Sequence, residues 1–408
     1  MGARAHRMRV RLGEPVGRPP LRLVPPQPPP AVVLGNTDLI RALGLAGIHS
    51  ASVTRPSRPM TFSRFVVDRV PWADNWGAPD ELTANLLAYA SERGDDPLPL
   101  FFQHDGDLAF VSRNRDALAE RYRFAIGDAA LVEQLLDKTL FVELAEQAGL
   151  PVPASAVLRP RPGSDPPALP FGYPAIVKPL TRRDVIWKPL AGESKALRLE
   201  NDADLRKLWP VLADGGFDFI AQELIPGGEE RIESYHGYVD ERGEVAGEFT
   251  GRKVRTYPRE FGQTTALEIT DEGDVREAGR WCMAAIGLRG PAKVDFKRAP
   301  SGRLVLLEIN ARFNLWHLPG AAAGVNLPAI VYADLVGRPR PPVERVRPGV
   351  TWTVPWTDFR AAREQRLSLA RWAAWQARCQ TRHVLAFDDP MPFLRGLVWA
   401  HAARKLRR

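Results

Sequence analysis

Ala292-Lys-Val-Asp-Phe-Lys297, Arg298-Ala-Pro-Ser-Gly-Arg303 and Leu304-Val-Leu-Leu-Glu-Ile-Asn310 follow one another without a break. Two runs of alternating character flank a Pro-Ser-Gly turn, the pattern of an antiparallel hairpin. Alternation sets Lys293, Asp295 and Lys297 on one face and Val294 and Phe296 on the other. It groups Leu304, Leu306, Glu308 and Asn310 against Val305, Leu307 and Ile309. A turn centred on Ser301–Gly302 lays Asp295 opposite Glu308 and Lys293 opposite Asn310, with cross-strand Cβ atoms about 4.5–5.5 Å apart. Two carboxylates and an amide then converge on one patch. Such hard oxygen donors suit Mg²⁺, which keeps few protein ligands and completes its shell with water and phosphate oxygens. The plainer reading is a solvent-facing hairpin whose acids are neutralised by Lys293 and Lys297. The hairpin alone leaves both standing.

The chain around it has 408 residues, 45% of them hydrophobic, which is enough for a full core. At roughly 100–200 residues per domain, two or three domains are expected. The net charge of +8 is unevenly spread. Residues 1–30 hold six arginines against Glu14, and residues 359–408 hold eleven Lys/Arg against three acids, which leaves the body at −5. A slightly acidic body with basic ends, lacking a recognisable motif, speaks against nucleic-acid binding. Cys282 and Cys379 are too few for a disulfide framework or a thiolate zinc site. No apolar leader follows the basic start, and no run reaches the ~18–20 apolar residues of a membrane helix. A cytoplasmic protein is the expectation.

Residues 1–30 alternate Arg with Pro and finish PPQPPP, so they read as a disordered arm. Residues 31–127 read as a small α/β domain: strands at 31–35, 48–53 and 99–103, and helices at 39–45, 80–92 and 113–121. Gly35 stands alone at the first turn, so the glycine-rich dinucleotide fingerprint is missing. Asp128 to Gly149 reads as one long helix, since Leu131, Val132, Leu135, Leu136, Leu140, Leu144 and Ala148 recur at helical spacing. From 151 to 340 strands and helices alternate as α+β, and 341–408 is a basic, Trp-bearing segment.

Further motifs accompany the hairpin. They are Asp137-Lys138, Gly149-Leu-Pro-Val-Pro153, Ile176-Val-Lys-Pro179, Gln222-Glu-Leu-Ile-Pro-Gly-Gly-Glu-Glu230 and Gly251-Arg-Lys253, with Asn-Ala-Arg312 closing the last strand. In this order and spacing the chain resembles the ATP-grasp superfamily, in its carboxylate–amine ligase branch with the D-alanine–D-alanine and D-aspartate ligases. The resemblance covers residues 31–340. It implies a Rossmann-like pre-ATP-grasp domain over 31–127, a two-lobed ATP-grasp domain over 128–340, and a C-terminal extension over 341–408.

The resemblance also implies roles. Lys138, Lys178, Lys195 and Lys293 would face nucleotide phosphates, Gln222, Glu223, Leu224 and Ile225 would follow the adenine edge with backbone groups, and Glu230, rather than Glu229, would take the ribose hydroxyls. Lys253 would reach the terminal phosphate, and Arg312 would stabilise an acyl phosphate. Asp295, Glu308 and Asn310 would hold one or two Mg²⁺, or Mn²⁺, against ATP. Arg252, Arg255, Asn314 and His317 are candidates for the substrate seat, since a guanidinium fork matches a carboxylate. The bland reading of each is a solvated strand-end lysine, an ordinary strand-to-turn sequence, or a satisfied structural histidine. Where the family has a Gly- and Ser-rich phosphate loop, this chain has residues 180–195, with Arg182, Arg183, Lys188 and Lys195 as possible cationic substitutes.

The implied activity joins a small carboxylate to an amine through an acyl phosphate, releasing ADP and phosphate. The alternative is a non-catalytic ATP-binding sensor or scaffold at an anionic surface. The C-terminal segment interleaves Trp with Arg, which fits a terminal helix packed on the body or a peripheral membrane contact. The sequence carries no signal of the oligomeric state.

Overall fold

The computed structural model describes residues 28–56, 58–180 and 184–399. The arm read over 1–30 therefore falls almost wholly outside the described residues, as do Arg182, Arg183 and the basic run 400–408.

The first unit is a parallel sheet of β1 (Ala31–Leu34), β2 (Ser50–Val53), β3 (Val66–Val70), β4 (Leu98–Phe102) and β5 (Tyr122–Arg123), in the order β3-β2-β1-β4-β5. Helices α1 (Thr37–Leu45), α2 (Pro79–Ser91), α3 (Asp105–Arg113) and α4 (Arg115–Ala119) connect its strands. The Asn36 side chain accepts the Asp38 N–H at 2.9 Å and so starts α1. The helix expected at 113–121 is corrected: Arg113 ends α3 and Asn114 separates it from the short α4.

The long helix expected at 128–149 is two helices, α5 (Ala129–Leu136) and α6 (Lys138–Gln147). Asp137 turns extended between them, and its carboxylate accepts the Thr139 and Leu140 N–H groups at 2.8 and 3.0 Å. Leu131, Val132, Leu135 and Leu136 of α5 and Phe141, Leu144 and Ala145 of α6 join one core while Leu140 is exposed, and the aspartate offers the backbone a cap in place of a helical turn.

Two further sheets follow. The smaller is antiparallel, in the order β6-β9-β7-β8, from β6 (Ser155–Leu158), β7 (Ala175–Pro179), β8 (Leu197–Leu199) and β9 (Phe219–Glu223). Its apolar face, with Val177, Phe219 and Ala221, packs with Trp187 of α7 (Asp184–Ala191) and Trp209 of α8 (Asp202–Asp214). The larger has seven strands, in the order β14-β13-β10-β11-β12-β15-β16. These are β10 (Ile232–Val239), β11 (Val245–Tyr257), β12 (Gln263–Thr270), β13 (Gly290–Arg298), β14 (Leu304–Asn310), β15 (Thr351–Thr353) and β16 (Thr381–Arg382). Tyr235, Val294, Phe296, Leu306 and Ile309 share one core with Val32, Leu100 and Phe102 of the first sheet. Helices α9 (Gly273–Ala285), α10 (His317–Ala322) and α11 (Leu327–Leu335) cover the large sheet. Among the described residues no helix is long and apolar enough to cross a membrane.

The chain beyond residue 340 is built into this sheet. β15 extends β12, and α12 (Pro355–Glu364) carries Asp358, which is fully buried. Asp358 takes both Nε and Nη2 of Arg255 at 2.8 Å, the Thr265 hydroxyl at 2.9 Å and the Trp372 indole N–H at 3.0 Å. Trp372 and Trp375 belong to α13 (Leu369–Arg378), and Arg255 lies 4.9 Å from the Trp375 ring centre. These tryptophans are thus occupied against the body. The segment then returns to the first unit, where Asp389 accepts from Ser63 and His383 Nδ1 stands 2.6 Å from buried Asp38.

That last pair has a pH consequence. Burial pushes the His383 imidazole down, but the charge of Asp38 and the hydrogen bond to it outweigh this and raise its pKa. A raised histidine stabilises fully below its unfolded pKa of about 6.5 and loses that contribution as pH rises through the folded value. Urea unfolding from pH 6 to pH 9 should show stability falling more steeply in the wild type than in Asp38→Asn. Equal slopes would mean the pair contributes nothing.

Candidate active site

The hairpin forms as its alternation demands. Lys293 pairs with Asn310 and Asp295 with Glu308, and the register then slips at a bulge after Asp295 so that Phe296 faces Leu306. The bulge corrects the expected faces of β14. Leu304 and Leu306 join the core with Ile309, while Val305, Leu307 and Glu308 turn the other way.

Glu308 and Asp295 line an open cleft between the small and the large sheet. Asp295 is buried, accepting from the Ser234 hydroxyl and from Lys293 Nζ at 2.5 Å. Burial pushes the Glu308 carboxyl up, but Lys293, Lys195 and Lys253 around it outweigh this and hold it well below the ordinary range. Glu308 is therefore a charged oxygen donor facing the cleft.

The small sheet supplies one wall. Lys178, at the end of β7, donates to Gln222 Oε1 at 3.1 Å, and burial pushes its ammonium down to about 8 against the pull of Glu308. Burial likewise lowers Lys195, whose N–H bonds the Phe261 carbonyl and so joins the wall to the β11–β12 turn. Gln222, Glu223, Leu224 and Ile225 run along the cleft with Ile176, Ile232, Phe261 and Leu307. Besides these apolar side chains, the lining includes Lys178, Lys195, Lys253 and Lys297 with Glu229, Asp295 and Glu308. A cleft lined by apolar side chains, lysines and paired acids can take a ring carrying phosphates and a divalent cation.

The structure brings together ten of the residues singled out from the sequence: Lys178, Lys195, Gln222–Ile225, Lys253, Lys293, Asp295 and Glu308. Others lie apart. Lys138 Nζ donates to the carbonyls of Pro179 and Leu180 at 2.6 and 3.0 Å, beneath the strand that carries Lys178. The Glu223 and Leu224 N–H groups are already bonded to the carbonyls of Ala154 and Pro174. Glu230 is exposed, and Glu229, 4.0 Å from Lys253 Nζ, lines the cleft in its place, because the single turn at 229–231 rotates neighbouring side chains apart. Arg252 is exposed and bonds Glu268 across the strand pair. Arg255 shares no face with Lys253, since β11 slips register between them, and it is consumed by Asp358.

His317 is fully buried against Phe249 and Phe313, and burial pushes its imidazole down to about 3. Asn314 is buried and accepts the Trp316 N–H. Neither lines the cleft. Asn310 and Arg312 lie outside its lining, where Arg312 Nη2 donates to Asn310 Oδ1 at 2.9 Å. Lys297, read from the alternation only as a neutralising partner of the acids, also lines the cleft. Among the described residues no three His, Cys, Asp or Glu side chains are grouped to hold a metal. The donor set of Asp295 and Glu308, with the Asn310 amide two residues on, fits a hard cation that takes its remaining ligands from water and phosphate.

No family model matches the chain. A D-aspartate ligase from Enterococcus faecium (strain Aus0004) is 25% identical over 262 residues, 62% of this chain and 62% of that protein. The chain thus spans under two-thirds of that relative's length. Among solved structures, an L-amino acid ligase from Bacillus licheniformis superposes with a TM-score of 0.59 at 15% identity, covering 79% of this chain and 77% of that one. The ADP complex of an N5-carboxyaminoimidazole ribonucleotide synthetase gives 0.59 at 14% identity, covering 79% and 81%. A Campylobacter jejuni biotin carboxylase in a βγ-ATP complex gives 0.56 at 17%, covering 79% and 74%. The resemblance read from the motifs holds, and the chain has the ATP-grasp fold.

The geometry separates the two neighbouring acids. Calorimetric titration with MgADP should show Glu229→Gln weakening binding about tenfold or more, as expected for losing a hydrogen bond to a charged group, and Glu230→Gln changing it little. The reverse order would return the ribose to Glu230.

Proposed function

We propose that this ATP-grasp chain is an ATP- and Mg²⁺-dependent carboxylate–amine ligase, forming an amide through an acyl phosphate with release of ADP and phosphate. The observation that carries the reading is the ionised Glu308 paired with Asp295 in a cleft lined by lysines and apolar side chains. The apolar lining at Leu224 and Ile225 suits adenine, and Glu229 suits the ribose hydroxyls. Lys178, Lys195 and Lys253 suit the phosphates, as flexible point charges. Asp295 and Glu308, with Asn310 beside them, would hold Mg²⁺, and Mn²⁺ takes the same oxygen donors. When bound, the cation neutralises charge shared by the β- and γ-phosphates.

In the reaction a carboxylate oxygen attacks the γ-phosphorus and ADP leaves. The amine then attacks the acyl carbon, and phosphate leaves with the C–O bonding pair. The chain's part is to align these groups and meet the charge that develops on them. Arg312 spends its guanidinium on Asn310, Asp105 and the Gln103 and Phe313 carbonyls, so its part here is to hold the Asn310 amide in place. The kinship with a D-aspartate ligase makes a dicarboxylic amino acid the first carboxylate to try. The non-catalytic alternative gives no reason to face Asp295 with Glu308 across the strands and ring them with Lys178, Lys195, Lys253 and Lys293.

Hydroxylamine intercepts acyl phosphates. With D-aspartate, ATP and Mg²⁺ it should give a hydroxamate in step with ADP, and Glu308→Gln should reduce both about 100-fold or more with the fold retained by circular dichroism. Tight Mg²⁺-dependent ATP binding without hydroxamate or ADP, across a panel of amino acids and small carboxylates, would favour the sensor.

A further inference from the structure

The ladder sets out the acid-bearing face of the large sheet in rows. Ser234, Asp295 and Glu308 stand abreast on β10, β13 and β14, and His236, Lys293 and Asn310 form the next row. Residues paired across strands share a face. Both oxygens of Asp295 are bonded from within these rows. Oδ1 accepts the Ser234 hydroxyl, and Oδ2 accepts Lys293 Nζ at 2.5 Å. Asn310 Oδ1 in turn accepts Arg312 Nη2 at 2.9 Å. Two of the three oxygen-bearing side chains thus already carry a cation of the chain. Glu308 differs, because Lys293, Lys195 and Lys253 act on it through their charge alone.

Lys293 is held where it is. It is 9% exposed and Asp295 1%. Its Nζ lies 5.7 Å from the ring centre of Trp316, which is itself buried, and an aromatic face holds a cation. The side chains paired with it on either strand are uncharged. Asn310 is an amide, and burial, with His317 and Lys293 nearby, pushes the His236 imidazole well below the ordinary range. Asp295 is therefore the anion to which this ammonium is bonded, and parting the two would leave a buried charge uncompensated.

The ligase reading, on which this inference rests, calls for cations at the triphosphate but leaves their number open. Phosphoryl-transfer sites can clamp two divalent ions. We infer that this site takes one, and that the Lys293 ammonium occupies the place of a second. Glu308 offers carboxylate oxygens with no cation bonded to them. Asp295 Oδ1 can share the same ion, since its own donor is an uncharged hydroxyl and a carboxylate oxygen keeps a further lone pair. A second ion would have to use Asp295 Oδ2 and Asn310 Oδ1, which are bonded to Lys293 and Arg312. Positive charges gathered on one oxygen repel each other. Lys293 supplies a single compact charge at that point without drawing an ion from solution.

Counting Mn²⁺ tests this. In equilibrium dialysis against β,γ-imido-ATP with Mn²⁺ in excess over nucleotide, the protein side gains both, and their ratio is measured after subtracting Mn²⁺ bound without nucleotide. The wild type should hold one Mn²⁺ per nucleotide. Lys293→Met removes the charge from an unbranched side chain and should raise the ratio to two, with Mn–Mn coupling in the electron paramagnetic resonance spectrum. Lys293→Arg keeps the charge and should stay at one. Where circular dichroism shows Lys293→Met unfolded, Lys293→Gln replaces it, and the wild-type ratio stands independently of either. A ratio of two in the wild type, or of one in the folded variant without the charge, would overturn the inference and leave the ligase reading intact. A wild type that gains no nucleotide would overturn the ligase reading, and this inference with it.

Discussion

Two carboxylates held across neighbouring strands are the constraint around which the rest of the site is arranged. Asp295 and Glu308 face each other in register on β13 and β14, and like charges so placed repel unless cations surround them. Lys293 bonds Asp295, while Lys195 and Lys253 act with it on Glu308. Lys195 arrives from the small sheet, so the charge balance of the acid pair draws both lobes together. Burial lowers Lys178 and Lys195 at the same time, leaving cations that gain from a further negative partner. An acid pair and a ring of lysines are mutually dependent, an arrangement that suits the proposed polyphosphate with its cation.

The hairpin register was legible because alternation and a Pro-Ser-Gly turn leave one pairing. The bulge after Asp295 was not, since nothing in Leu306-Leu307 marks which leucine turns toward the core. Asp137 was seen within a helical period, where its cap was hidden by the apolar positions on either side. Glu229 and Glu230 are indistinguishable by spacing, and only the rotation of a single turn at 229–231 decides between them. Arg252 and Arg255 were drawn to the site by proximity to Lys253. Their partners, Glu268 and Asp358, lie 16 and 103 residues away, and no local pattern announces an ion pair of either separation.

The C-terminal segment left two readings open, a packed helix and a peripheral membrane contact, and its described tryptophans at 372 and 375 pack on the body. Its tryptophans and arginines alternate as an interfacial helix would, yet Trp372 spends its N–H on Asp358 and Trp375 stacks under Arg255. The segment goes on to bind the first unit through His383 and Asp389. Arg312 makes a second such bridge, from the end of β14 to Gln103 and Asp105. The carboxyl edge of the first sheet is thereby tied to the end of β14.

The central claim is that a carboxylate is activated by phosphoryl transfer at Glu308 and Asp295. Carrying out the reaction with an oxygen-18-labelled carboxylate and measuring the released phosphate by mass spectrometry tests it most directly. An acyl-phosphate route leaves one labelled oxygen in each inorganic phosphate, because the C–O bond breaks when the amine attacks. Unlabelled phosphate, or label appearing in AMP, would contradict the account.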